Sequence, residues 1–403
     1  MTESTYSESE RRVFVPLDQW SLPTTSVHRT LRDAISSFLE RARQTAWLAE
    51  SDEEGGDALR PLSRRQLSRW APPADWQSGL VGMTDALDNW WERWGTVQTV
   101  AFLVAPPFSG IGESLEQLCR ERGWRLIEPP DDRAIHRTDA VSWWSQFDGE
   151  TTWVLPELGH CWLRTPAGLT LVRRLLGAIA AGELGQGVIG CSSWTWQFWR
   201  HLMPELRFSV MTPQAYDHVR LGRWLGDLAQ EPSSHFRLTT NGSWVVPPKA
   251  AGEQQNHKTS AFLRDLAAWS RGIPEVAWST WRQALRAQPE AEVVEGTAGT
   301  TPVRHESTCW VVPWDQLTLP SLPPGESRPL AFVLHALLMH QGLDEEHLRQ
   351  TTGLDLDDIH ISLHSLRRAE LVEPHPRGWF VTARGYPAIR RYLQTEGFAV
   401  DGF

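Results

Sequence analysis

The residues with the clearest chemical potential lie in one short run, Pro107-Phe108-Ser109-Gly110-Ile111-Gly112-Glu113-Ser114. It follows an apolar stretch, Val97–Ala105, and precedes a helical pattern over 114–122. Two glycines at such a strand-to-helix turn let backbone amides approach a ligand closely, and the amides and dipole at a helix start favour an anion such as phosphate. Ser114 has a hydroxyl able to ligate a divalent cation. Glu113 puts a negative charge where a phosphate would want a positive one. At about 4 Å a unit charge pair is worth roughly 4 kcal/mol at an effective dielectric near 20, so the reversed sign opposes a polyanion by several kcal/mol. A carboxylate at a helix N-terminus is itself favourable by roughly 0.3–1 kcal/mol. Glu113 is therefore expected to take the anion position itself.

Two more sites follow at intervals. The apolar run Thr151–Leu155 ends in Pro156-Glu157, and Gly187–Cys191 ends in Ser192-Ser193. Glu157 is a candidate general base that a solvated loop acid would equally explain. Ser192 and Ser193 are hydroxyls open to a ligand, or ordinary N-caps for a helix over 194–202. The four cysteines show no metal or disulfide spacing, and no metal site is expected.

The elements needed to position these residues follow from periodicity. Strands are predicted over 97–105, 124–128, 151–155, 187–191 and 206–211. Helices are predicted between them over 114–122, 139–147, 169–181 and 194–202. The expected fold class is α/β, with a five-stranded parallel sheet covered on both faces. Residues 1–82 read as an N-terminal extension with helices over 26–50 and 63–70, and a helix over 83–94 opens the 83–213 core. Residues 214–290 read as a helical lid, with helices over 216–229, 260–270 and 274–287. A hairpin turning at Asn241-Gly242 interrupts it. Residues 291–327 read as a linker, and 328–403 as three helices, a two-stranded wing over 371–382 and a last helix: a winged helix-turn-helix.

The run Pro107–Ser114 resembles the phosphate-binding loop G-x-x-x-x-G-K-[S/T] of P-loop NTPases, with Gly112 and Ser114 kept, proline at the first glycine and Glu113 at the lysine. With Ser270-Arg271-Gly272-Ile273-Pro274-Glu275-Val276-Ala277 and the winged helix, the chain resembles the initiator-type and STAND-type branch of AAA+ ATPases over about 83–403. The resemblance implies ATP and magnesium at Gly110, Gly112, Glu113, Ser114, Ser192 and Glu275. Yet Glu113 replaces the phosphate-contacting lysine, Pro156 a metal-linked aspartate, and Glu275 a nucleotide-contacting arginine. The expectation is a pseudo-ATPase: a regulatory or scaffold subunit without a working cofactor, contacting a protein partner such as an active ATPase or an effector encoded nearby. An ATPase using Ser114 and Glu157 by an atypical route is the enzymatic alternative.

A winged helix also suggests a DNA-binding regulator, with His364, Arg367 and Arg368 on the third helix and Arg377 on the wing. Residues 328–403, however, carry ten acids against eight arginines, and Asp355, Asp357 and Asp358 crowd the start of that third helix. This balance favours protein docking over DNA. The whole chain has a net charge of −10, and all but two of its 39 basic residues are arginine, which fits a GC-rich genome. No lysine precedes Lys249. The 23 tryptophans cluster at 90/91/94, 143/144 and 194/196/199, as core or interface stripes. With no apolar leader, and with the longest apolar stretch broken at Glu183, a cytoplasmic protein without membrane insertion is expected.

Overall fold

The computed structural model describes residues 13–22, 59–73, 77–136, 140–229, 235–246, 260–287, 308–323 and 328–403. The expected helix over 26–50 and most of the expected linker lie outside them. The chain divides into two compact units: Met1–Ser21 with Asp75–Ala215 and Leu319–Phe403, and Leu22–Ala74 with Tyr216–Thr318.

In the first unit the labelled elements run, in order, β1 (Phe14–Pro16), α1 (Gln77–Trp94), β2 (Val100–Ala105), α2 (Ile111–Arg122), β3 (Arg125–Leu126), β4 (Trp153–Leu155), α3 (Thr170–Ala180), β5 (Gly187–Ser192), α4 (Ser193–Leu202) and β6 (Val210–Pro213). The sheet order is β1-β6-β2-β5-β4-β3. The five strands β2 to β6 run parallel, and β1 closes one edge antiparallel to β6. All six residues of β2 are buried, as an uninterrupted apolar strand in a two-faced parallel sheet requires. Its alternation divides the core. Val100, Phe102 and Val104 face one apolar cluster, which contains Leu171, Leu175, Trp153, Trp162 and Trp199. Ala101, Leu103 and Ala105 face the other, with Leu87, Trp90, Leu115 and Leu118.

Several boundaries differ from the periodicity, each for a local reason. Helix α2 starts at Ile111 rather than 114 because Gly110, at φ 71°, caps it in the left-handed conformation; Gly123, at φ 64°, ends it. The last parallel strand occupies 210–213 rather than 206–211. The side chain of Gln98 holds the approach instead, accepting from Ser209 N at 2.8 Å and donating to Arg207 O at 3.2 Å. The expected strand over 124–128 pairs only at Arg125 and Leu126 before Pro129-Pro130. The expected helix over 139–147 is one turn, Val141–Trp144.

The same unit contains a C-terminal module. Its labelled elements are α5 (Arg328–His340), α6 (Glu345–Thr352), α7 (Leu356–Arg368), the antiparallel pair β7 (Val372–His375) and β8 (Gly378–Val381), and α8 (Tyr386–Thr395). Asp344 caps α6 by accepting from His347 N, and Asp355 caps α7 by accepting from Asp358 N, both at 2.8 Å. Met339 and Phe403 belong to the same apolar cluster as Phe102 and Trp162, so module and sheet share one core.

The second unit pairs helices with a five-stranded sheet. In order, its strands are Arg60–Pro61, Leu285–Ala287, Thr308–Val311, His235–Leu238 and Trp244–Val246. The expected hairpin forms, closed by a loop in which Gly242 takes φ 66° and Leu238 N donates to Ser243 O at 2.9 Å. The helix expected over 274–287 stops at Ala284, and 285–287 joins the sheet. Phe236, Phe262 and Trp281 pack together at its core.

Candidate functional site

The loop after β2 keeps the backbone of an anion cradle. Gly110 is left-handed, and the first-turn amides of α2 have no acceptor within the helix. Phe108 also sits at positive φ, 66°, where a bulky residue is strained. Its ring meets Tyr386 of the C-terminal module edge-on, with centroids 5.7 Å apart. Ser114 is fully buried, and its hydroxyl donates to Gly110 O at 2.7 Å, inside its own helix turn. Glu113 is exposed, and none of the hydrogen bonds among the described residues ties its carboxylate to the loop amides. No bond among the described residues supports the expectation that it fills the anion position; its charge acts on the neighbouring Glu157 carboxyl.

The ends of β4 and β5 are tied together. Glu157 Oε1 accepts from Gly159 N at 2.7 Å and from Ser192 N at 3.1 Å. Burial pushes this carboxyl up to about 7; the two amide bonds pull it down and the charge of Glu113 adds to the rise. That range suits a general base at neutral pH, but the carboxylate here staples two strand ends. Beside it, a Cβ on Gly190 would lie 2.0 Å from Pro156 O, so the strands approach so closely that only glycine fits.

The C-terminal module covers what remains. Ser192 Oγ caps α4, accepting from Trp194 N at 3.3 Å, and also accepts from Gln341 Nε2 at 3.1 Å. Ser193 Oγ donates to Asp401 Oδ2, and Thr195 Oγ1 donates to Met339 O at 2.5 Å. Asp401 is 3% exposed and pairs with Arg390, whose Nε reaches Oδ1 at 2.9 Å and whose Nη2 reaches the Asp401 carbonyl at 2.8 Å. Tyr386 OH donates to Asp401 at 3.3 Å and accepts from Trp194 Nε1 at 3.1 Å. Phe403 packs against Trp20 with centroids 4.8 Å apart. A charge buried this deeply is tolerated only when paired and hydrogen-bonded, and Asp401 is both.

No family model matches the chain, and no curated protein matches it. Among solved structures, three variants of RuvB from Thermotoga maritima are similar at 12% identity, covering 84% of this chain and 96% of theirs, with TM-scores of 0.31, 0.29 and 0.31. A likeness this distant says nothing about the chemistry of the loop.

Of the residues singled out by sequence, Gly110, Gly112, Glu113, Ser114, Glu157 and Ser192 lie in one unit around the C-terminal ends of β2, β4 and β5. Glu275 belongs to the second unit, in the first turn of the helix Pro274–Ala284. Arg164 donates to Thr351 O at 3.4 Å and to His335 Nδ1 at 3.5 Å; Arg200 is exposed. His364, Arg367 and Arg368 are exposed on α7, and Arg377 is exposed at the turn of the β7–β8 hairpin. His360 is engaged with Glu345 at 2.9 Å. The clustered tryptophans go inward: Trp90, Trp143, Trp194 and Trp199 are buried and Trp91, Trp94, Trp144 and Trp196 half-buried. Sequence reasoning missed Phe108, Gln341, Tyr386 and Asp401. The one available signal was polar residues in apolar surroundings, as in Val400-Asp401-Gly402-Phe403 and at His335 and His340 within the apolar α5.

Proposed function

We propose that this chain is a P-loop-derived, AAA-like protein whose nucleotide site is silent, and that it acts as a scaffold or regulatory subunit through protein contacts. The observation that carries the reading is that side chains at the strand ends are engaged within the chain. Ser114 bonds its own turn, Glu157 staples Gly159 to Ser192, Ser192 holds Gln341 and Ser193 holds Asp401. The central placement of strand, glycine turn and helix in a parallel sheet supports P-loop descent. Magnesium-ATP does not fit the residues present: Glu113 offers the wrong charge, Pro156 has no carboxylate, and the Ser114 hydroxyl is committed.

In this reading residues 328–403 are a winged helix used for docking. The exposed acids Asp355, Asp357 and Asp358 at the start of α7 oppose approach to phosphates and favour a protein partner over DNA. Among the described residues no helix is long and apolar enough to cross a membrane. Phosphate release from magnesium-ATP tests the proposal. Turnover by the purified chain is expected to equal the protein-free blank. Turnover that Ser114→Ala abolishes would overturn the reading.

A further inference from the structure

The contact between the C-terminal module and the sheet is built on histidines. His160 follows β4 in the short helical turn Leu158–Cys161, and its Nε2 lies 3.4 Å from Gln341 O. His335 and His340 are on α5, 7% and 1% exposed. His335 meets Arg164, and its ring packs on Trp194 and Phe398. The His340 ring lies 4.4 Å from the Trp162 ring, and neither of its nitrogens has a hydrogen-bond partner of normal length. Three imidazoles, contributed from both sides, therefore lie in one dry seam between α5 and the ends of β4 and β5.

The charged side chains that act directly on the three rings are cations. Arg164 lies against His335 and His340, and Arg377 reaches His160 from the β7–β8 turn. The Cys161 thiol faces Glu157, pushed upward first by burial and then by that carboxylate. Glu157 in turn faces Glu113. The ion pair Arg390–Asp401 lies in the neighbouring node.

We propose that this seam is a proton-operated latch: protonating His160, His335 and His340 releases the C-terminal module from the sheet and frees Ser192, Ser193 and Thr195. The proposal does not depend on whether the loop binds nucleotide. A charged imidazole in the seam loses its water and meets Arg164 or Arg377, so it is doubly opposed. Burial, followed by these arginines, holds His160 and His335 down to about 4. Burial holds His340 to about 3, opposed by a pull from the Gly159 backbone.

The sign follows from linkage. The three rings are neutral in the docked state and return to an ordinary value near 6.5 when released. Docking is therefore undiminished above that value and weakens as pH falls toward 4. From pH 7 to pH 5 each histidine weakens docking by about 20-fold. Glu157 works the other way, because acid neutralises it in place; if release restores an ordinary carboxylate, it strengthens docking by about 40-fold. Three histidines against one carboxyl leave a net weakening of about 200-fold.

Hydrogen exchange on the full chain, read by mass spectrometry and corrected for intrinsic rates, tests the latch. Peptides covering 158–164, 192–202 and 330–341 are expected to lose protection by tenfold or more between pH 7 and pH 5, while 100–105 keeps it. The double variant His335→Gln/His340→Gln is expected to flatten that dependence. If the variant does not fold, ring titration of the wild-type histidines by NMR decides. Rings that stay neutral below pH 6 and titrate together with the loss of protection support the latch. Rings that titrate near 6.5 while protection persists overturn it. So do unchanged protection at pH 5 and an equal loss at 100–105.

Discussion

The C-terminal ends of the parallel strands hold two regions that differ in opposite ways. The loop 107–114 keeps the backbone of an anion cradle, with left-handed Gly110 capping α2, but its charged residue, Glu113, is exposed and of the wrong sign. The ends of β4 and β5 keep suitable polar residues, Glu157, Ser192 and Ser193, but each is engaged by intramolecular bonds. In the proposed reading a phosphate site is silenced by residue type in one place and by occupation in another. Only the first kind of change is visible in a motif.

This contrast predicts unequal tolerance. Asp401→Ala should have the largest effect, because it strands Arg390 in a buried node. A loss of about 3–5 kcal/mol is expected from denaturant titration, and a loss below about 1 kcal/mol would show that the node does not hold the strand ends. Glu157→Gln should come next, with a signature in pH. A buried acid raised to about 7 contributes its stability in full below about 4.5 and loses it as pH rises through 7. The variant should therefore be more stable than wild type by about 2–3 kcal/mol at pH 8 and indistinguishable from it at pH 4.5. The same gain at both values would mean that Glu157 is not held in a buried staple. Thr195→Val removes the bond to Met339 O and should cost about 1–2 kcal/mol. Glu113→Ala should be smallest, a few tenths to about 1 kcal/mol from the lost helix-end interaction, and screened by salt. A larger loss would show that Glu113 does structural work that its exposure does not suggest.

Much of the α/β unit was legible because its determinants are local. Val100–Ala105 is apolar throughout, the helices carry 3.6-residue periodicity, Ser192 is a preferred N-cap, and Asn241-Gly242 sets a hairpin. The inward turn of most tryptophans also follows from their spacing. The rest depends on distant partners. Nothing near Ser193 announces Asp401, and nothing near Ser209 announces that Gln98 will replace its strand ladder. The sheet of the second unit was hidden because strands of two to four residues, such as Arg60–Pro61 and Leu285–Ala287, are too short to show a period. Glu113 was legible as a residue type but not as a position, since a side chain in the first turn of a helix can point into the loop or out to water.

The central claim is that the site is closed to nucleotide, and calorimetric titration of the wild-type chain with magnesium-ATP tests it most directly, with Glu113→Lys alongside. The account predicts no binding heat at millimolar nucleotide from wild type, and none from Glu113→Lys either, because Ser114, Glu157 and Ser192 remain engaged. Saturable wild-type binding with a micromolar Kd would contradict it.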